Sequence, residues 1–336
     1  MKRAVIRGKG DAALVDAPKP EARENWAVVK VHAAPMCTEY KGFVSGTPGE
    51  YLGHEAAGEV VVGAGRVKAG DRVVVMPLYP CGTCPLCLSG DYIHCEHSPD
   101  FARFTGSREG SATMAQYLLK TDWLLLPIPD GVSYEHASLA CCALGPSFGA
   151  YGRMNVSALD TVLITGLGPV GLGAVVNARY RGARVIGVEG NPWRAERARQ
   201  MGAELVLDPG DETAPAQVRG LTDGRGADCG LDCSGSPHAH RFLIDAVRRR
   251  GRIAFVGECS AETVLRMSPD MIRKGLTLIG SWHYNLGDFP GVIQVVQRSP
   301  LIGLLVSHVL PMSRIQEAFE TLAGQETAKV ILKPWE

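Results

Sequence analysis

The chain has 336 residues, 46% of them hydrophobic, enough apolar surface for two ordinary domains. Its 35 Lys and Arg balance 35 Asp and Glu, so it carries no net positive field to hold a nucleic acid or an anionic membrane; a small-molecule partner fits better. The apolar run after Met1-Lys2-Arg3 is too short for an export signal, so the ten cysteines suggest metal binding in the cytoplasm rather than a secreted disulfide framework.

The N-terminus reads as a first strand. Trp26 to His32, Gly58 to Val62 and Asp71 to Met76 are short valine-containing runs separated by Gly, Pro and Asp, which predicts a β-rich, barrel-like domain. From Asp160 the pattern alternates: strand Thr161 to Thr165, helix from Val170, strand Arg184 to Val188, helix near Arg194 to Met201, strand Leu205 to Asp208. Such alternation predicts a parallel sheet wrapped by helices, completed to six strands by Cys229 to Cys233, Arg252 to Val256 and Thr277 to Ile279. Thr161 to Ala178 lacks charge, but its glycines and Pro169 inside a strand-turn-helix pattern mark buried core, not a membrane span. Arg248-Arg249-Arg250 before Gly251 is expected to close a helix, where cations meet the dipole and the glycine caps. The tail adds a helix after about Asp288, a strand at Leu305 to Leu310, a helix from Ser313 and a strand at Ala328 to Leu332. It is too small to stand alone and is expected to pack on the first domain. The predicted domains are therefore 1–146 with 288–336, and 147–287.

Cys81-Gly82-Thr83-Cys84-Pro85-Leu86-Cys87, followed by Cys95, puts four thiols on one short loop. Four thiolates close a tetrahedron around Zn(II) and leave no open position, so this site is structural. Iron-sulfur ligation competes for the same sulfurs, but nothing else in the chain suggests electron transfer. Gly166-Leu167-Gly168-Pro169-Val170-Gly171 directly follows a predicted strand and opens a helix, the setting in which glycine turns bring a pyrophosphate to free N–H groups. The next strand ends in Glu189, whose carboxylate suits an adenosine ribose and repels a 2'-phosphate, favouring NAD over NADP; Arg194 is the one nearby residue that softens this preference. Cys37 and His54-Glu55, taken singly, read as packed residues.

Taken together with Gly70-Asp71-Arg72-Val73, these motifs make the chain resemble the zinc-containing medium-chain alcohol and polyol dehydrogenases over essentially its whole length, in particular the sorbitol, threonine and aminocyclitol dehydrogenase-like set. The resemblance implies an α/β protein: a GroES-like β-rich catalytic domain with a structural zinc lobe, plus a Rossmann doubly wound parallel-sheet cofactor domain. It implies one structural and one catalytic zinc, the latter on Cys37 and His54, with Glu55 beside the metal and able to enter its coordination. The third ligand falls on Cys142 or its neighbour Cys141; matching Phe148 and Ala150 to the family pattern selects Cys142. A cysteine here, in place of the carboxylate of sorbitol-type members, pulls toward ordinary alcohol dehydrogenases. The implied activity is hydride transfer between NAD and a secondary alcohol (a polyol, cyclitol or amino alcohol) or its ketone, in a homodimer or homotetramer. The rival readings are an NADPH-linked, zinc-free quinone or enoyl reductase and a non-catalytic dinucleotide-binding protein.

The family relay does not carry over. Where relatives have Cys, any residue, Ser or Thr, then Asp, this chain has Cys37-Thr38-Glu39-Tyr40, and Gly42 replaces a downstream histidine. Glu39, Tyr40 and Thr38 are the candidates for proton transfer, with Glu39 favoured; the competing reading is that Glu39 braces a loop lysine or arginine. Gly280-Ser281-Trp282-His283-Tyr284-Asn285 suits a polyhydroxylated substrate or a structural turn, and Phe101, Phe104 and Arg108 are candidates to border the cleft.

Overall fold

Trp26–Pro35 is valine-rich and almost wholly buried, and the first of two structural units is built around this strand. In the computed structural model, which describes residues 1–336, this unit comprises Met1–Cys142, Asn285–Gln297 and Val306–Glu336. Strands β1 (Lys2–Gly8) and β2 (Asp11–Asp16) form a hairpin. β3 (Trp26–Pro35) pairs antiparallel with β4 (Ala56–Val62), which pairs with β5 (Arg72–Val75); β6 (Tyr117–Thr121) also pairs with β3, and β7 (Leu125–Pro127) with β5. The register sets Ala33 opposite Ala57. The exit from β3, which carries Cys37, therefore lies beside the entry to β4, which carries His54.

The second unit comprises Ala143–Tyr284 and Arg298–Leu305. β8 (Thr161–Thr165) is buried at every position, as a central parallel strand covered on both faces must be. With β9 (Arg184–Val188), β10 (Leu205–Leu207), β11 (Ala227–Asp232), β12 (Val247–Phe255) and β13 (Thr277–Gly280) it forms a six-stranded parallel sheet in the order β10-β9-β8-β11-β12-β13. This doubly wound order opens a crevice outside the carboxyl ends of β8 and its neighbours, where the strand order reverses. The uncharged run to Ala178 is strand, turn and helix (Pro169–Tyr180), and no helix of the chain is long and apolar enough to cross a membrane.

One expectation fails here. Arg248, Arg249 and Arg250 do not close a helix: that helix, Pro237–Ala246, ends earlier, and the arginines lie in β12. Pairing jumps from Ala227↔Val247 to Cys229↔Arg252, so the extra β12 residues bulge, with Arg250 at φ 56°. The bulge is fixed by an ion pair from Arg248 Nε to Asp228 at 2.6 Å.

The second unit also carries a buried carboxylate that reports on folding. Asp270 accepts hydrogen bonds from Arg241 at 2.7 and 3.1 Å and from the Arg266 backbone at 2.8 Å. Arg241 holds its carboxyl well below the usual carboxylate range, against the opposing effect of burial. A depressed folded-state pKa stabilises above the unfolded value, near about 3.9, and is lost as pH falls further. Asp270→Asn is expected to lower the thermal midpoint at pH 7 by about 4 °C, and scanning calorimetry should find the difference shrinking below about pH 4.

The tail returns to the first unit, where β14 (Val306–Pro311) pairs with β15 (Lys329–Lys333), and β15 pairs antiparallel with β3 through Ile331↔Pro35 and Leu332↔Ala34. Helix Ile315–Ala323 stacks Phe319 on Phe43 at 5.2 Å in the core of this unit.

Candidate metal centres and dinucleotide site

The β3 exit, the β4 entry and the segment at Cys142 bring together ligand atoms of Cys37, His54, Glu55 and Cys142, all within 4.8 Å of one another. Gly53, at φ +88°, makes this possible: a side chain there would begin 2.3 Å from Thr113 Oγ1, so only glycine lets the chain turn into His54. Cys142 Sγ lies 3.3 Å from His54 Nε2, close to the roughly 3.6 Å expected between a sulfur and a nitrogen on one tetrahedral zinc. Cys141 is fully buried and turns its thiol to the Val75 carbonyl at 3.4 Å, so Cys142 alone of the two joins the cluster. Cys37, His54 and Cys142 each keep some exposure, whereas Glu55 is fully buried behind them. The donor set fits a catalytic zinc: two sulfurs and one imidazole leave a position free.

Glu39 does not brace a lysine or arginine. Its Oε1 lies 2.9 Å from His54 Nδ1, and its Oε2 accepts the Cys37 N–H at 2.9 Å. A carboxylate on the other ring nitrogen is a partner that metal-ligating histidines commonly have; here it fixes the tautomer and leaves Nε2 facing Cys142 Sγ. Thr38 is exposed beside Cys37, and Tyr40 opens the helix Tyr40–Ser45 with its ring packed on the core.

As free ligands the two sulfurs share one charge. A hydrogen bond from Cys142 holds the Cys37 thiol well below the usual range, against burial; that same contact, with burial, pushes the Cys142 thiol well above it. Burial opposes a charge on His54, but hydrogen bonds to Cys37 and Glu39 outweigh it and raise the imidazole to about 11. Metal uptake here is therefore coupled to proton release. Sequence reasoning missed one residue: Lys329 of β15, fully buried, whose ammonium pairs with Glu55 and donates to the Met36 carbonyl at 3.2 Å. Burial pushes Glu55 up to about 7 with Lys329 opposing, whereas on Lys329 the burial effect is outweighed by Cys37 and Glu55, which raise it. Lys329 therefore has two anionic neighbours, Cys37 and Glu55, and Glu55 is the one it contacts directly. The only signal in the sequence was a lysine inside the apolar run Ala328 to Leu332.

The four cysteines of the lobe also converge, with Sγ of Cys81 and Cys87 3.9 Å apart, near the roughly 3.8 Å edge of a tetrahedral zinc-tetrathiolate. Backbone N–H groups of Thr83 and Cys84 point at Cys81 Sγ at 3.4 and 3.3 Å, and that of Cys81 at Cys95 Sγ at 3.2 Å. The Thr83 N–H leads in pulling the Cys81 thiol down to about 6. Amides aimed at sulfur favour the thiolate that a metal needs. Cys84→Ser is expected to lower zinc from two per chain to one and the thermal midpoint by roughly 10 °C, read by metal analysis and calorimetry.

In the second unit the glycine turn sits at the carboxyl end of β8. Gly166 has φ +78°, and a side chain there would strike the Ser234 backbone at 2.9 Å; Pro169 then starts the helix, its missing N–H costing nothing. Gly168 N-caps that helix without a side-chain partner, so the first-turn amides of Val170 and Gly171 have no helix carbonyl to pair with. Glu189 staples the turn, with Oε2 accepting the Leu167 N–H at 2.6 Å and Oε1 that of Asn191 at 2.8 Å. Arg194 reaches Gly168, its Nη1 3.8 Å from where a side chain would begin, while its buried Nε lacks a protein partner. A buried orphan donor beside free helix amides fits an anionic pyrophosphate. The crevice continues between Val188, Glu189, Pro209, Ser236, His238 and Phe242. His240, which carries no motif, is a packed residue bonded to the buried Asp232 at 3.1 Å.

The substrate candidates are mostly engaged in packing. Phe101 and Phe104 lie against Trp26, with ring centroids at 5.6 and 5.2 Å. His283 stacks on Tyr284 at 4.7 Å, both buried, and Asn285 caps Gly287 and donates to Ser89. Arg108 lies over the Tyr51 ring at 4.7 Å, with Tyr51 three residues before His54.

A dinucleotide fold alone does not require a mixed cysteine-histidine cluster; joined in one chain, the two define a metal-dependent dehydrogenase. Residues 23–130 match the alcohol dehydrogenase GroES-like domain, and residues 169–298 the zinc-binding dehydrogenase domain. The zinc-type alcohol dehydrogenase-like protein YphC of Escherichia coli is 36% identical over 258 residues, 74% of this chain and 69% of its own. D-arabitol-phosphate dehydrogenase of Enterococcus avium is 30% identical, covering 97% of this chain and 95% of its own. Among solved structures, alcohol dehydrogenase TADH from Thermus sp. ATN1 superposes with a TM-score of 0.89 at 26% identity, over 99% of each chain. The chain belongs to the zinc-type alcohol dehydrogenase family, and its α/β architecture of a GroES-like and a Rossmann domain is that family's.

Proposed function

We propose that the protein oxidises a secondary alcohol of the polyol, cyclitol or amino alcohol kind to its ketone, and catalyses the reverse, using NAD and a zinc ion held by Cys37, His54 and Cys142. The observation that carries this is the cluster of Cys37, His54 and Cys142, each partly exposed, backed by the buried Glu55. When bound, zinc lowers the alcohol's pKa and NAD accepts its hydride. Cys37 and Cys142 offset the metal's charge, and Glu39 locks the His54 tautomer. With both Glu39 oxygens so committed, the alcohol proton leaves by way of Thr38, the exposed hydroxyl next to Cys37. Gly166 to Gly171 and Arg194 hold the pyrophosphate, and Glu189 faces the ribose and disfavours NADP.

The substrate class is supported by the arabitol-phosphate dehydrogenase relative. The cytoplasm is supported by ten free thiols, six of them in the two metal clusters. A homodimer or homotetramer is supported by exposed Val264, Met267 and Ile272 near the edge strand β13. The test is an initial-rate panel of polyols, cyclitols and amino alcohols with NAD and with NADP. NAD-linked turnover of one of these classes is expected; reduction of quinones or enones by NADPH, without metal, would replace the reading.

A further inference from the structure

We propose that Lys329 is a positioning residue of the metal centre: its ion pair with Glu55 keeps that carboxylate off the metal and so keeps a coordination position open for substrate. The inference rests on the zinc reading above.

Glu55 already stands beside the ligand atoms of the cluster. One carboxylate oxygen lies within 4.8 Å of the ligand atoms of Cys37, His54 and Cys142, and Oε1 is 3.9 Å from His54 Nε2. Carboxylate oxygen is a good zinc ligand at about 2.0–2.2 Å, so a small shift of this side chain would complete a four-ligand protein cage. Two contacts oppose that shift. Oε2 accepts the Cys142 N–H at 3.1 Å, and Oε1 takes the Lys329 ammonium. Neither Glu55 nor Lys329 has any exposure, so water cannot substitute for either partner.

The Lys329 backbone is fixed independently of the ion pair. Strand β15 runs beside the chain that leads to Cys37, with the Met36 N–H on the Val330 carbonyl at 2.8 Å, and Lys329 Nζ also holds the Met36 carbonyl. The ammonium is therefore anchored to the same segment that presents the first ligand.

Charge balance points the same way. Zinc, two thiolates, the Glu39 and Glu55 carboxylates and the Lys329 ammonium sum to a single negative charge. Removing the ammonium enlarges that negative surplus and leaves Glu55 to take either a proton or the metal as its counter-charge; with zinc bound, the metal is the nearer cation. Lys329 thus decides whether the fourth position belongs to Glu55 or to an alcohol.

The experiment uses the full-length protein with cobalt(II) in this site, counted as the visible absorption lost in Cys142→Ser. Imidazole, a small ligand for an open position, is titrated by absorption. Lys329→Met is expected to bind imidazole at least tenfold more weakly than wild type, with a shifted cobalt spectrum before any imidazole is added. Lys329→Met with Glu55→Gln should regain the wild-type affinity, and Lys329→Arg should stay close to it. If the methionine variant does not fold, Lys329→Gln takes its place. Unchanged imidazole affinity in the folded single variant overturns the proposal, as does a double variant no better than the single one. Wild type lacking the Cys142-dependent cobalt signal would instead remove the metal reading on which the proposal stands.

Discussion

Cys142→Ser is expected to abolish zinc-dependent alcohol oxidation, by at least about a thousandfold in kcat, while Cys141→Ser leaves turnover within a few fold of wild type. The two cysteines are adjacent, but their surroundings differ. Cys142 Sγ is 3.3 Å from His54 Nε2, and its backbone N–H is bonded to Glu55, so its loss removes a ligand and one negative charge from the site. Cys141 is buried, with its thiol on the Val75 carbonyl, and burial pushes that thiol's pKa far above the ordinary range, so it stays neutral. Serine in its place costs stability through lost packing, not metal. Zinc analysis should give one ion per chain for Cys142→Ser and two for Cys141→Ser. The opposite pattern would move the third ligand to Cys141.

Glu39→Gln is expected to weaken zinc binding at this site by roughly 10–100-fold, the range found when the partner of a metal-ligating histidine is lost. Turnover at saturating zinc should fall with it. The carboxylate accepts from His54 Nδ1 and from the Cys37 N–H; a glutamine can keep one of these contacts but loses the charge that favours Nδ1–H. On the proposed reading, in which Glu39 positions the imidazole and Thr38 takes the alcohol's proton, the pH–rate profile should keep its shape while dropping in height. Glu39→Asp, one carbon shorter, should recover only part of the affinity. Unaltered zinc affinity together with a lost limb of the pH profile would return Glu39 to the relay.

These roles show which parts of the molecule were legible in the sequence. The sheet was, because β8, β9 and β10 are short apolar runs between helix-length segments, and local periodicity carries that information. The residues of the two candidate metal clusters were legible through spacing and family resemblance, since cysteine and histidine have few other reasons to recur in those patterns. The partner of Glu39 was not, because Thr38-Glu39-Tyr40 breaks the family pattern and only the fold shows that Glu39 reaches His54. Lys329 was invisible for a plainer reason: its partner Glu55 is 274 residues away, brought near by the pairing of β15 with β3. Arg248 to Arg250 misled because cations before a glycine suggest a helix end, whereas the chain had already begun pairing at Val247 and had to bulge to reach Arg252.

The most direct test of the account is zinc content per chain before and after mild chelation, with NAD-linked polyol oxidation followed on the same samples. Two zinc ions per chain are expected, one on the closed four-cysteine lobe and one on the partly exposed Cys37, His54 and Cys142 cluster. Activity should vanish as the more labile ion leaves and return when zinc is restored. A single tightly held zinc with turnover intact would contradict the account, leaving the lobe as the only metal site and a zinc-free reductase as the better reading.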